Sequence, residues 1–148
     1  MEIKRASSND IDAITKLLSD AGASPTGITA DQLQHVYLAY TKNNELAGVG
    51  AMRLIGNVAL LHTLAVTPSL RGQGFGYLLI KTLDHAARSN NIDSIYLLSD
   101  DLIDYFKRYG YEAVALESVP DSIAQLDLFT QLKATNSHAM RLPIPETA

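Results

Sequence analysis

The segment Arg71-Gly72-Gln73-Gly74-Phe75-Gly76 has residues suited to binding an anion. Its alternating glycines leave backbone N–H groups uncovered and permit a tight turn. A helix starting after the turn would add a positive N-terminal dipole, and Arg71 would add a cation suited to phosphate. The pattern predicts a phosphate-binding turn; the alternative is a glycine-rich connection beside a solvated arginine.

The residues on either side of the turn predict a strand and a helix. The run from Val58 to Val66 is largely apolar on both faces, which is typical of a central, buried strand, and Pro68 ends it. After the turn, Phe75, Leu79 and Leu83 recur at helical spacing with polar residues between them. The turn therefore joins the end of a strand to the start of a helix.

Two other phosphate-binding motifs fit this turn poorly. A Walker loop ends in Gly-Lys-Ser/Thr, but Gly76 is followed by Tyr77 and Leu78. A dinucleotide fingerprint has Gly-x-Gly-x-x-Gly, but Tyr77 stands in place of its third glycine. Asp100 could supply the distal acid of that fingerprint, yet the sequence predicts only one strand-turn-helix unit.

The stretch Leu64-Ala65-Val66-Thr67-Pro68, followed by the glycine turn, resembles the Arg/Gln-x-x-Gly-x-Gly/Ala signature of the GNAT superfamily of N-acetyltransferases. The resemblance extends from about Asp10 to Tyr111. It implies an α/β (α+β) fold with a mixed, mostly antiparallel sheet flanked by helices. The length of 148 residues fits one domain over residues 1–148. It also implies that the turn binds the pyrophosphate of acetyl-coenzyme A, a co-substrate. The residues predicted to bind it are Leu64, Ala65, Val66, Arg71, Gly72, Gln73, Gly74, Phe75, Gly76, Tyr77, Ser99 and Phe106.

Acetyl transfer to an amine needs a proton acceptor, because an alkylamine with a pKa near ~10.4 is mostly protonated at neutral pH. The resemblance places His62 where the family often has a glutamate base. A histidine with a pKa near ~6.5 can accept that proton, and the alternative is a packed histidine without a catalytic role. The backbone N–H of Leu64 is the implied donor to the thioester oxygen.

The departing thiolate is usually protonated by a tyrosine in the family's Phe-Tyr-x-Lys/Arg-x-Gly segment. The corresponding segment here begins at Tyr105, and Phe106 occupies the tyrosine position. Tyr105 is therefore the candidate acid, although packing is the favoured interpretation of both Tyr105 and Tyr109. A thiolate with a pKa near ~8.5 can also leave without an acid.

Composition narrows the other possibilities. The 148-residue chain has 12 basic and 16 acidic residues, a net charge of −4 and no cysteine. These features argue against nucleic acid, membranes, thiolate metal sites and a cysteine acyl-enzyme, so direct transfer is expected without a metal. The N-terminal residues lack the apolar core of a signal peptide, which predicts a cytoplasmic protein.

A homodimer is a possible assembly, with Leu126 and Leu128 as contacts if they are exposed.

Weaker patterns predict the remaining elements. Asp100 and Asp101, with Ser99, are expected to cap a helix that ends near Gly110, and Gly48 and Gly50 suggest a bulge or a close approach. Strands are predicted at 2–6, 35–41, 46–54, 95–98, 111–116 and 139–142. The strand at 95–98 is expected to be parallel to the central strand. Helices are predicted after Asp10 and at 30–34.

These observations predict a small-molecule N-acetyltransferase that acts on a primary amine. A non-catalytic acyl-coenzyme A binding module and a protein acetyltransferase for lysine or N-terminal amines are the alternatives. The segments Phe129–Leu132 and Ser137–Arg141 resemble the end of an acetyltransferase subgroup associated with arsenic resistance, although Lys133-Ala134 replaces that subgroup's Cys-Pro.

Overall fold

The structure is a computed structural model that describes residues 2–23, 28–29 and 33–144. Its strands are β1 Glu2–Arg5, β2 Val36–Tyr40, β3 Leu46–Ile55, β4 Val58–Val66, β5 Ser94–Leu98, β6 Glu112–Val114 and β7 Ala139–Pro143. Its α-helices are α1 Ile11–Asp20, α2 Phe75–Ser89, α3 Ile103–Lys107, α4 Asp121–Ala124 and α5 Asp127–Lys133. The helix predicted at 30–34 falls largely outside the described residues.

Over the described part of the chain, the strands form one seven-stranded sheet in the order β1-β2-β3-β4-β5-β7-β6. The pairs β1–β2, β2–β3, β5–β7 and β6–β7 are antiparallel, while β4 and β5 are parallel. The predicted mixed, mostly antiparallel sheet flanked by helices is therefore confirmed. The parallel β4–β5 pair also confirms that the helix after the glycine turn is a crossover connection.

The chain divides into two compact units, whose boundaries fall within β3, β4 and α2. The first comprises residues 1–52 and 63–86, and the second comprises residues 53–62 and 87–148. In the first unit, α1 packs Ile14, Leu17 and Leu18 against residues of β2 and β3. In the second, residues of β4, β5 and β7 pack with residues of α4 and α5, including Ile123 and Phe129. The expectation of one domain stays a prediction.

Close packing explains two glycines of β3. A Cβ built on Gly48 would lie 2.9 Å from both the Ala65 carbonyl oxygen and the Leu79 side chain, and one on Gly50 would lie 3.3 Å from Leu79 and Leu83. The β2–β3 register also shifts at Ala39 and Tyr40. Both the predicted bulge and the predicted close approach are present, so α2 lies directly over the backbone of β3.

The structure corrects the role predicted for two acidic residues. Helix α3 begins at Ile103, and its N-cap, Leu102, makes no side-chain capping bond. Asp100 instead binds residues that precede β7. Ser99 Oγ accepts a 3.1 Å bond from the Leu102 N–H and closes the turn before the helix. The prediction that Asp100 and Asp101 cap α3 is therefore wrong.

Sequence patterns do not predict α4 and α5. These helices contribute Ile123, Leu128 and Phe129 to the core of the second unit, and Leu126 packs against it. Because Leu128 is buried, it is not available as the exposed dimer contact considered from the sequence.

Candidate coenzyme and catalytic site

The glycine turn starts from a fixed strand end. The Thr67 N–H donates a 2.7 Å bond to the Ala47 carbonyl oxygen, and Thr67 Oγ1 donates a 3.3 Å bond to that of Leu46. Residues Pro68–Leu70 then form a short 3-10 turn, which the sequence did not predict. This turn is the first part of the connection between the end of β4 and the start of α2.

The backbone of the turn exposes a row of donors. Gly72 and Gly74 have positive φ angles of 80° and 92°, which side-chain-bearing residues rarely adopt. In the part of the chain that is described, the N–H groups from Gly72 to Gly76 have no hydrogen-bond partner. Helix α2 runs for 15 residues from Phe75, so its N-terminal dipole coincides with this row. Such a row of donors is suited to a phosphate group.

The side chains around the turn differ in exposure. Arg71 is exposed, and its Nε donates a long 3.4 Å bond to the Val66 carbonyl oxygen. Tyr77 is 48% exposed, with Lys81 Nζ 5.7 Å from its ring centroid. By contrast, Phe75 is buried, so it offers a ligand mainly its backbone.

A pocket of about 330 Å³ lies beside the turn. Leu70, Gln73 and Phe75 line one part of it, and residues of the β2–β3 turn, among them Thr41 and Lys42, line another. A ligand on the turn therefore has free space next to Gln73.

His62, the candidate base, lies on β4 and is half-buried. Burial, and to a smaller extent the positive charge of Arg53, lower its pKa to about 4. The imidazole is therefore neutral at pH 7 and has a lone pair that can accept a proton. Leu64 follows two residues later on the same strand.

Arg53 on β3 was not predicted as a site residue. It is half-buried, and its Nε is buried with no hydrogen-bond partner within the described ranges. None of the carboxylates in those ranges forms an ion pair with it. An unsatisfied buried donor costs about 1–3 kcal/mol, and more for a charged group. A single arginine in an apolar run has no local motif, so no sequence signal could have identified it.

In the aromatic segment of α3, Phe106 packs in the core, whereas Tyr105 has a hydroxyl group that could donate a proton. Phe106 is buried and packs edge-on against Tyr111 with 5.3 Å between ring centroids. Tyr105 is half-buried and contacts Tyr109, with 5.2 Å between their centroids. Burial raises the pKa of Tyr105, and Tyr109 raises it further by charge and by hydrogen bonding. Tyr105 therefore retains its phenolic proton at neutral pH, whereas Phe106 has none to donate.

Ser99 and Asp100 lie just after β5. Asp100 accepts bonds from the N–H groups of Ser137 (2.9 Å) and His138 (3.1 Å), and its carboxylate lies 2.8 Å from His138 Nδ1. Ser137 Oγ also approaches His138 Nδ1, at 3.4 Å. Because serine and aspartate share one ring nitrogen, this set cannot relay a proton from serine to aspartate.

No group of residues in the described ranges could hold a metal ion. His138, for which the sequence suggested no partner, is bonded to Asp100. His35 is half-buried, and its Nδ1 has no hydrogen-bond partner among the residues described. Within those residues, none of the helices is long and apolar enough to span a membrane.

A family model described as "Acetyltransferase (GNAT) family" matches residues 12–111 of this chain. The chain belongs to the GNAT acetyltransferase family. This family consists of acyltransferases that use acetyl-coenzyme A. The similarity to the arsenic-resistance subgroup is not confirmed.

Solved structures share the fold of this GNAT chain. N-acetylglutamate synthase from Neisseria gonorrhoeae, complexed with coenzyme A and N-acetyl-glutamate, matches 98% of the chain at 19% identity with a TM-score of 0.80. The chain spans only 35% of that synthase chain. Rv2747 from Mycobacterium tuberculosis, in complex with coenzyme A, matches 98% of this chain and 100% of its own at 18% identity and a TM-score of 0.78.

A third structure with this fold acts on a protein. The ribosomal-protein-S18-alanine N-acetyltransferase from Escherichia coli matches 99% of this chain and 96% of its own at 16% identity, with a TM-score of 0.72. At these identities the likeness extends to the fold alone. The acceptor of this GNAT chain has to be inferred from its own residues.

Proposed function

We propose that this chain transfers the acetyl group of acetyl-coenzyme A directly to the primary amine of a small molecule. The observation that carries the proposal is the row of N–H groups from Gly72 to Gly76, which have no hydrogen-bond partner among the described residues and lie between a buried strand and the N-terminus of α2. A row of donors at a helix N-terminus binds the pyrophosphate of the co-substrate, with Arg71 as a nearby cation.

Three groups of the chain are assigned to the transfer. The Leu64 N–H donates to the thioester oxygen, where negative charge develops as the amine nitrogen bonds to the carbonyl carbon. His62 accepts the proton that the nitrogen loses. Tyr105 donates its phenolic proton to the sulfur as the carbon–sulfur bond breaks, and it recovers a proton from solvent.

The low pKa of His62 restricts its role. A base with a pKa of about 4 cannot remove a proton from a free alkylammonium, whose pKa is near ~10.4. It can accept a proton from the much more acidic nitrogen that has already bonded to the carbonyl carbon. His62 is therefore proposed to act after attack by the neutral amine.

One observation favours a second function, a non-catalytic acyl-coenzyme A binding module. Phe106, at the family's usual acid position, is a buried packing residue. That function would require the turn but neither His62 nor Tyr105. Protein acetylation is the third candidate, since the Escherichia coli structure above is named for a protein acceptor.

The proposal is tested first by calorimetric titration with acetyl-coenzyme A and NADH, and then by thiol release with amines. We expect micromolar binding of acetyl-coenzyme A, no binding of NADH, and turnover with a small amine. Binding without turnover on broad amine and peptide panels would favour the binding module, and turnover on peptides alone would favour protein acetylation. No binding of any coenzyme A species would overturn all three. The cytoplasmic location and the homodimer stay predictions.

A further inference from the structure

Arg53 and His62 stand beside the apolar cluster of the second unit. Ile55 of β3 and Val58 and Leu60 of β4 pack into that cluster. Side chains on a strand alternate between faces, so Arg53, two residues before Ile55, is placed on the face of the cluster. His62 follows Leu60 by two residues on β4, and the charge of Arg53 acts on its imidazole. Along the two strands, the apolar cluster is therefore followed by a guanidinium and an imidazole.

Among the described residues, the Arg53 guanidinium has neither the hydrogen bond at Nε nor the ion pair that a partly buried arginine normally forms. Within the described ranges, its Nε is shielded from water without a hydrogen bond and no carboxylate pairs with the side chain. Arginine donors buried in folded proteins are normally satisfied by carboxylates, carbonyl groups or ligands. The positive charge of Arg53 acts on His62 and helps to lower its pKa, so the two groups lie within electrostatic range. Nε itself is closed to solvent, but the Arg53 residue is only half-buried, so this unpaired cation is available to a substrate.

We propose that Arg53 binds a carboxylate of the acceptor, so that the amine acetylated by this chain belongs to an amino acid. The inference rests on the proposed function, because it assigns the acceptor of that reaction. Arg53 holds the acceptor by its carboxylate, and the amine of the same molecule is presented to His62.

The chemistry favours a carboxylate over a phosphate. A guanidinium offers parallel N–H donors that match the two oxygens of a carboxylate, and one cation balances one negative charge. A phosphate dianion would leave one charge uncompensated, because His62 is neutral at pH 7. The apolar neighbours Ile55 and Leu60 lower the local dielectric constant, which strengthens the pairing.

The first experiment compares acceptors in matched pairs. Initial rates are measured for a panel of amino acids and for their decarboxylated amines, such as lysine and cadaverine, with wild type, Arg53→Met, Arg53→Lys and the control Arg88→Met. Arg88 is an exposed arginine in the last turn of α2, so its replacement removes the same charge elsewhere. We expect Arg53→Met to raise KM for the amino acid about 10- to 100-fold, because it removes a charge-assisted hydrogen bond. KM for the decarboxylated amine should change little, and Arg53→Lys should recover part of the loss.

The second experiment needs no turnover. N-acetyl amino acids are titrated into wild type and Arg53→Lys in the presence of coenzyme A, while the His62 imidazole is followed by NMR. A bound carboxylate would neutralise the charge of Arg53, so the pKa of His62 should rise in the wild type and rise less in the variant. Because Arg53→Lys keeps a cation of similar size, this arm also covers the case in which Arg53→Met does not fold.

The outcomes separate this inference from the proposed function. Two results would overturn the carboxylate site and leave acetyl transfer intact. In the first, the wild type acetylates amino acids and decarboxylated amines at equal rates. In the second, Arg53→Met loses activity equally towards both classes of acceptor. If no acceptor of any kind is turned over, the proposed function fails. The titration then decides the carboxylate site alone: binding with a rise in the His62 pKa supports it, and no binding overturns it.

Discussion

The carboxylate of Asp100 lies 2.8 Å from Nδ1 of His138 and joins the loop after β5 to the residues just before β7. It also accepts the backbone N–H groups of Ser137 and His138. These contacts hold the pKa of Asp100 below its usual value. The hydrogen bond with the His138 side chain has the largest effect, and the two N–H groups and the Ser137 hydroxyl add to it. Asp100 is thus the central acceptor of this junction.

Replacing Asp100 with Asn should release this junction. The amide is uncharged and a weaker acceptor, so we expect amide hydrogen exchange to accelerate at Ser137 and His138 while exchange in β5 is unchanged. In the wild type the same acceleration should follow acidification, because a carboxyl group with a lowered pKa contributes stability that is lost as pH falls through its folded-state pKa. Asp101→Asn, a neighbouring exposed acid, serves as the control. Unchanged exchange in Asp100→Asn would show that the junction is held by other contacts.

The variant Gly74→Asp should abolish binding of acetyl-coenzyme A. It adds a side chain where φ is 92° and a negative charge beside the proposed phosphate position, which costs several kcal/mol. We expect Kd to rise by at least about 100-fold in calorimetry. Gly56→Asp is the matched control, because Gly56 also has a positive φ, 59°, but lies in the β3–β4 turn. If Gly74→Asp bound acetyl-coenzyme A with the wild-type Kd, the glycine turn would not be part of the coenzyme site.

Gly48 should tolerate no side chain. In Gly48→Ala, the Cβ would meet the Ala65 carbonyl oxygen and Leu79 at 2.9 Å, so either the backbone or α2 must shift. We expect the free energy of unfolding to fall by about 1–3 kcal/mol in urea denaturation. Gly50→Ala, with contacts of 3.3 Å, should lose less. An equal or larger loss at Gly50 would contradict the packing of α2 described above.

Local sequence patterns predicted the strand, turn and helix that form the proposed coenzyme site. Pro68 stops β4, the glycines permit the positive φ angles, and the spacing of Leu79 and Leu83 defines the buried face of α2. These are short-range effects, so their outcome can be predicted from neighbouring residues.

The remaining features depend on partners distant in sequence. Asp100 binds a histidine 38 residues away, and a helix-capping role was the best local interpretation of it. Helices α4 and α5 have four and seven residues, too few to establish a helical period. Arg53 is significant only because its buried Nε has no hydrogen-bond partner among the described residues, and such an absence becomes visible only in three dimensions.

His62 should make the protein less stable in acid. Its pKa in the folded state is about 4, below the unfolded value of 6.5, so the unfolded state binds more protons between these values. Stability from this residue is therefore complete above pH 6.5 and decreases as pH falls towards 4. The loss by pH 4 is about 3 kcal/mol. Denaturant titrations at pH 4.5 and pH 7.5 should show a smaller pH dependence in His62→Gln, and the same dependence would show that His62 is not buried in its neutral form.

Activity measurements test the other role of His62. We expect His62→Gln to lower kcat by about 100-fold or more while the Kd of acetyl-coenzyme A stays unchanged. Because His62 is neutral above about pH 4, it should cause no acidic limb in the wild-type pH–rate profile between pH 5 and pH 7. Unchanged kcat in the variant would return His62 to a packing role.

Tyr105 is tested as the proton donor by Tyr105→Phe, which removes only its hydroxyl group. Because burial and Tyr109 raise its pKa, Tyr105 should stay protonated throughout the range from pH 7 to pH 9. General acid catalysis contributes about 10²- to 10⁴-fold, and a thiolate is a good leaving group, so we expect kcat to fall by about 100-fold. The matched control is Tyr109→Phe, which removes the same group from the neighbouring ring and keeps the Tyr105 hydroxyl. If both variants retain wild-type kcat, the thiolate leaves without an acid, and the two tyrosines only pack against each other.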